Sequence, residues 1–480
     1  MTRAIVTAAT LLVLSASAVR AQEDAYRREF GQPLLRTFDT KKHGGHAQNW
    51  AITQDSRGIV YVANGFGVLE VDGLRWRLIR TERQTIVRSV AVDADDRVWV
   101  GAVGEIGSLE PDERGVLRYV SHLEQLPPDA RDFADVWSTH ATPKGVYFAP
   151  LARLIRVRSA EVSTWEAQEG FHAFSLPGRL FVRDRGRGLL ELVADELRPV
   201  PGGEAVARGH ASAVLPWGDS GAGLLAVTGA IGLLPLPSTA PPEALSTEID
   251  LALAQERVYT GILLEDRRIA LATLGAGAYV LDKSGNNIGH IDKDRGLQGN
   301  VVWALHQDRE GALWMALDRG LARAEVTSPV TRFDERTGLD GSALAVYRHR
   351  GELYATTAEG LFRLVAGPEA YFERLPQVGG QTWDLLTFEE ELLVANTERV
   401  YSFRGETGTV ASSRSFASAL LRSRVDRQRV FVGLMGGLAS MRREGERWVD
   451  EGAIAGITDD VRSLFELPDG RLWASSETNG

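Results

Sequence analysis

The chain has 480 residues with 44% hydrophobic and 25% charged side chains, enough apolar surface for a large core, so disorder and collagen are excluded. A net charge of -10 disfavours nucleic-acid partners, and the absence of cysteine removes disulfides, Cys-ligated zinc, iron–sulfur clusters and thiol catalysis. Glycine, at 50 residues, is in excess without a collagen period.

The first element is an address. Met1-Thr2-Arg3 is a short positive segment, and Ala4 to Leu14 is an apolar run of eleven, shorter than the roughly 20 residues that span a bilayer. Val19-Arg20-Ala21 fits a small-x-small cleavage rule, so residues 1–21 read as a secretory signal peptide and Gln22 as the mature start. Cleavage leaves 52 basic against 64 acidic residues, a mature charge of about -12. The expected location is periplasmic or extracellular.

From residue 30 onward one pattern recurs: an apolar alternating run, a polar turn often ending in Gly, a small-apolar-aromatic run, and a second Gly-containing turn. Its clearest copies begin at Trp50, Val87, Trp303 and Val461. The turn markers are Gly58, Asp96, Gly145, Gly178, Gly223, Arg267, Gly311, Gly351, Glu390, Arg427 and Gly470, spaced by 41 residues on average. That is the length of a four-stranded propeller blade, and the period of two within each unit makes the segments strands. The fold class is therefore all-β, with tandem β-propellers. Residues 30–335 are expected to form a first ring of about seven blades, and residues 336–480 part of a second with about four. Leu34–Phe38 is a strand-like piece able to close the first ring as a borrowed outer strand. In the unit at Val301, strands are expected at Val301–His306, Ala312–Leu317, Leu321–Val326 and, outermost, Val330–Phe333. The recurring aromatics Tyr61, Trp99, Phe181, Trp314, Tyr354, Phe431 and Trp473 are expected in the core between blades. The last unit stops inside its second turn, so the chain is expected to be a fragment of a longer protein.

The run from Gln48 to Trp76, and Gln307-Asp-Arg-Glu-Gly-Ala-Leu-Trp-Met-Ala-Leu-Asp-Arg-Gly-Leu321, resemble blades of two-component regulator propeller proteins. The resemblance covers nearly all of residues 30–480 and is poorest over 135–260, where the turn at Pro177-Gly178 is short and Pro235–Pro242 is a Pro-rich insertion. It implies a periplasmic sensor region of the kind joined to a β-sandwich, a transmembrane helix and a kinase, cyclase or DNA-binding output, none of which lies in this chain. It implies no catalytic residue and no cofactor. Implied partners are a small ligand, with carbohydrate among the candidates, or a periplasmic protein; a homodimer is a further expectation. Membrane attachment would come only from a segment beyond Gly480.

Enzyme signatures are weak. The nine histidines form no HExxH spacing; His43-Gly-Gly-His46 reads as a solvated loop, and Glu389-Glu390-Glu391 and Asp459-Asp460 as solvated turns. The enzyme alternative is a secreted propeller of streptogramin-lyase type, with a histidine and a metal-binding carboxylate converging at the channel mouth. One column carries the binding hypothesis. Trp50, Arg88, Trp137, Tyr259 and Trp303 stand eight residues before their turn markers, at the start of the innermost strands, with Phe171 and His172 near the same level. They are expected to circle one mouth of an axial channel, where aromatic faces and an arginine fork suit a sugar or a carboxylate. In the second ring only Arg462 fits clearly, with Trp383 one residue out of step, so the first ring is the expected ligand site.

Overall fold

The computed structural model describes residues 29–477 apart from residues 160, 208–210, 219–220, 237–242 and 368. The expected signal peptide, most of the Pro-rich insertion and residues 478–480 lie outside the described residues. The chain divides into two compact units, residues 32–331 and residues 332–480 together with the chain start. Among the described residues no helix is long and apolar enough to cross a membrane.

The unit of residues 32–331 is a β-propeller. Among its described residues are six four-stranded antiparallel sheets and one of three strands. The first sheet runs outward through Asn49–Gln54, Val60–Asn64, Gly67–Asp72 and Arg75–Ile79, and the second, third, fourth and sixth repeat that order. The middle strands read as near-continuous apolar runs, buried along their length, because a sheet covers each of their faces. The array closes on itself: Val302–Gln307, innermost in the last sheet, packs beside Asn49–Gln54. One apolar cluster joins Ile52, Val62 and Leu69 of the first sheet to Trp314 and Leu321 of the last.

The last sheet borrows its outer strand from the chain start. Leu35–Phe38 pairs antiparallel with Gly320–Ala324, as expected for Leu34–Phe38, while Val330–Phe333, expected there, lies outside the sheet. Phe38 stacks on Trp314 with ring centres 5.4 Å apart and planes 9° apart, so the strap is held by side chains as well as by its ladder.

The turn after each well-formed inner strand explains the sequence pattern. Asp308 accepts from the backbone of Glu310 and Ala312 through one oxygen, and from the indole Nε1 of Trp314 through the other, at 2.8–3.0 Å. Asp93 does the same with Asp95, Arg97 and Trp99, and Asp55 with Arg57, Ile59 and the Tyr61 hydroxyl. The aspartate thus folds the turn and fixes the aromatic six residues on. The turn ends in left-handed backbone, supplied by Gly58 (φ 89°) and Gly311 (φ 88°) and tolerated by Asp96 (φ 60°).

Two segments depart from expectation. The His43-Gly-Gly-His46 segment is ordered. His43 ends a one-turn helix, Thr40–His43, capped by Asp39 and by left-handed Gly44, and is buried against Trp76. The fifth sheet has three strands, Ala211–Trp217, Gly223–Thr228 and Gly232–Leu236. Leu245 bridges to Leu233, and the helix Asp250–Gln255 buries Leu253 in the neighbouring core.

The described residues of the unit 332–480 hold three four-stranded sheets, beginning at Ala343, Thr382 and Ala417, and the pair Val461–Glu466 and Leu472–Ser476. Two expectations fail here. Trp473 is 64% exposed, where its counterpart Trp314 is 5% exposed, because no further strand pair among the described residues covers it. Leu467 stands where the turns of Tyr61, Trp99 and Trp314 carry Asp55, Asp93 and Asp308, so the Trp473 indole also lacks the carboxylate lock. Glu391 lies in the strand Glu391–Asn396 and is buried, accepting from Ser402, Arg404, Arg443 and Trp448. Four donors compensate its desolvation and hold its carboxyl below the usual range.

Candidate functional site

The inner strands share a defect at their second residue. The pairing register shifts between Asn49 and Ala51, Val87 and Ser89, Val136 and Ser138, Ala211 and Ala213, Val258 and Thr260, and Val302 and Ala304. The skipped residues are Trp50, Arg88, Trp137, Ser212, Tyr259 and Trp303. A β-bulge sets two residues opposite one and re-aims the extra side chain. The fourth sheet alone keeps its register there, with His172 opposite Arg183, and its first two strands meet in the two-residue turn Pro177-Gly178. All five residues singled out from the sequence are therefore bulge residues.

The structure brings the five together. The Arg88 guanidinium lies over two indoles, 3.9 Å from the ring centre of Trp50 and 4.9 Å from that of Trp137. Trp50 and Trp303 are 4.8 Å apart, Trp50 and Trp137 6.4 Å, and Tyr259 stands edge-on to Trp303 at 5.0 Å. Residues of five sheets thus form one connected cluster.

Sequence reasoning missed Asp135. It precedes the inner strand of the third sheet and accepts from Arg88 Nε, with both side chains largely shielded from solvent. Its backbone bridges to Val103, in the turn between the second and third strands of the second sheet. Nothing in its sequence neighbourhood distinguishes it from other loop acids. Ser212 is the small member of the column and uses its hydroxyl to tie the Val258 carbonyl at 2.7 Å.

The polar atoms of the cluster are unevenly satisfied. Trp50 Nε1, Trp303 Nε1 and Arg88 Nη1 are buried and have no hydrogen-bond partner among the described residues. Burial raises the pKa of Tyr259, so its hydroxyl stays protonated. Three residues further along the inner strands stand His140 and His306, both driven down to about 4 by burial and hence neutral at physiological pH. His140 contacts Ser175 and the Ala173 carbonyl, while His306 Nε2 has no partner among the described residues.

The second unit repeats the device. Its register shifts single out Leu344, Trp383, Ser418 and Arg462, so Trp383 does stand in the column. Arg462 lies over Trp383 at 5.2 Å and pairs with Asp460 and Glu477.

Residues 296–319, which hold the Trp303 bulge, Asp308 and Trp314, match the family model of the two-component regulator propeller. That stretch carries one regulator propeller repeat. The extracellular domain of a protein assigned as a hybrid two-component system of B. thetaiotaomicron shares this chain's fold, with a TM-score of 0.59 at 13% identity, over 92% of this chain and 70% of that one. A second extracellular domain from that organism, of a protein assigned as a one-component system, gives a TM-score of 0.48 at 14% identity over 94% and 65%. A streptogramin B lyase gives 0.45 at 13% identity over 61% and 97%. No curated protein sequence gives a significant match.

Proposed function

We propose that this chain is the ligand-binding part of an extracytoplasmic sensor, exported by residues 1–21, which passes its signal to an output domain outside these residues. The small ligand binds at the mouth of the first unit, on the cluster of Trp50, Arg88, Trp137, Tyr259 and Trp303. The observation that carries this reading is the convergence of five bulge residues, with three buried N–H groups that have no protein partner. Unpaired buried donors cost about 1–3 kcal/mol each, which an incoming acceptor recovers. The regulator propeller repeat and the fold shared with an extracellular domain support the sensor role.

The test is a thermal-shift screen of the full chain against small solutes, repeated on a Trp50→Ala, Trp303→Ala double variant. A stabilising compound is expected to lose its effect in that variant. Stabilisation that persists unchanged places the ligand elsewhere.

A further inference from the structure

Aromatic clusters at a channel mouth suit three ligand classes: a sugar stacked on a ring face, a cation held over one, or an acceptor held by N–H groups. The geometry separates them. The place of a cation is already taken, because Arg88 lies over both Trp50 and Trp137. The rings are engaged with one another, Trp50 against Trp303 and Trp303 against Tyr259, so stacking a sugar requires breaking existing contacts.

What the cluster leaves open is donors. Its buried polar atoms without a protein partner are Trp50 Nε1, Trp303 Nε1 and Arg88 Nη1, all N–H groups. Tyr259 adds a phenol that keeps its proton. Asp135 engages Arg88 through Nε alone, which leaves the Nη1 end of the fork free. A planar guanidinium edge and indole N–H groups are donors of the kind that a carboxylate accepts from.

We propose that the ligand of this cluster is a small carboxylate, bound by Arg88 and the indole N–H groups of Trp50 and Trp303. The assignment rests on reading the mouth as a ligand site. Asp135 then acts as a restraint: its charge offsets that of Arg88, so the anion is admitted by directed hydrogen bonds and not by net positive potential.

The test uses the full chain with ¹⁵N-labelled tryptophan. Trp50→Phe and Trp303→Phe, which keep an aromatic ring and remove the N–H, identify the two indole resonances. Sodium acetate, methyl glucoside and tetramethylammonium chloride are then titrated separately to tens of millimolar, against sodium chloride as the salt control. Acetate is expected to move both resonances saturably. Its affinity is expected to fall about tenfold in Arg88→Met, the loss of one charge-assisted hydrogen bond, and to rise in Asp135→Asn, which removes the like charge. Movement by the glucoside or the ammonium ion, with none by acetate, overturns the carboxylate assignment and leaves the mouth a ligand site. Acetate binding that ignores both the Arg88 and the Asp135 substitution also overturns it. If no probe moves either resonance, both the assignment and the site are wrong.

Discussion

The Arg88 guanidinium lies 3.9 Å from the ring centre of the Trp50 indole, although the two side chains stand on the inner strands of different sheets. Two separate bulges deliver them, one between Asn49 and Ala51 and one between Val87 and Ser89. Each takes one residue out of the alternating pattern. A regular strand would send alternate side chains into the packing between sheets; the bulge releases the second residue from that rule.

This contact makes Arg88 a structural element as well as a candidate ligand group. Arg88→Met removes a largely buried cation from two indoles and leaves Asp135 without its partner. A loss of about 1–2 kcal/mol is expected, read as a lower urea midpoint with an unchanged slope. No change in midpoint would mean that the Arg88–Trp50 contact is not held in solution.

Asp308 tests the turn lock. Its carboxylate accepts from two backbone amides, from Trp314 and from Arg323, and it is nearly inaccessible to solvent. Asp308→Ala leaves those donors unpaired and is expected to cost about 3 kcal/mol in equilibrium unfolding. The substitution Asp469→Ala, in a turn whose Trp473 is exposed, is expected to cost well under half of that.

The closing strap is tested at Phe38, whose ring packs on Trp314 and Trp76. Phe38→Ala is expected to destabilise the first unit by about 3 kcal/mol, while Arg36→Ala, at an exposed position of the same strand, changes stability by less than about 0.5 kcal/mol. Equal effects would show that the strap is held by its ladder alone.

Two pH windows are expected in the stability of the chain. His140 and His306 are driven to about 4 by burial, against 6.5 when unfolded. Below about 6.5 the unfolded chain binds protons that the folded chain refuses, so stability falls as pH drops from about 6.5 toward 4. Glu451, held by Arg429, Ser440 and Arg442, is lowered to about 2 from 4.5. Its contribution is complete above about 4.5 and lost as pH falls toward 2. A His140→Asn, His306→Asn variant is expected to flatten the upper window of the urea midpoint, and Glu451→Gln the lower one. A pH profile unaltered by either substitution would refute the corresponding assignment.

Much of the molecule is legible from the chain. The turn marker and the aromatic recur at fixed offsets because turns such as those of Asp55, Asp93 and Asp308 are built by local hydrogen bonds, and local rules are written in consecutive residues. The same regularity puts Trp50, Arg88, Trp137, Tyr259 and Trp303 in one column by spacing alone, and it marks the strap at Leu34–Phe38. It fails where burial depends on distant chain. Glu391 looks like a solvated acid among acids until Arg443 and Trp448, more than fifty residues on, close over it. Trp473 looks like a core aromatic, and no neighbouring sheet among the described residues covers it. His43 reads as loop because a single helical turn has no period to detect.

Sequence alone determined the repeat, its strands, the closing segment and the level at which the conspicuous side chains stand, all properties of short-range spacing. Tertiary structure decided that those side chains meet, that Arg88 lies over two of the rings, that Asp135 pairs with it, and that three N–H groups are buried without a partner among the described residues. The reason is geometric. The period of two tells which face a side chain takes, but a bulge changes the face locally, and contacts where the ring closes join residues far apart in the chain, such as Trp50 with Trp303 and Phe38 with Trp314.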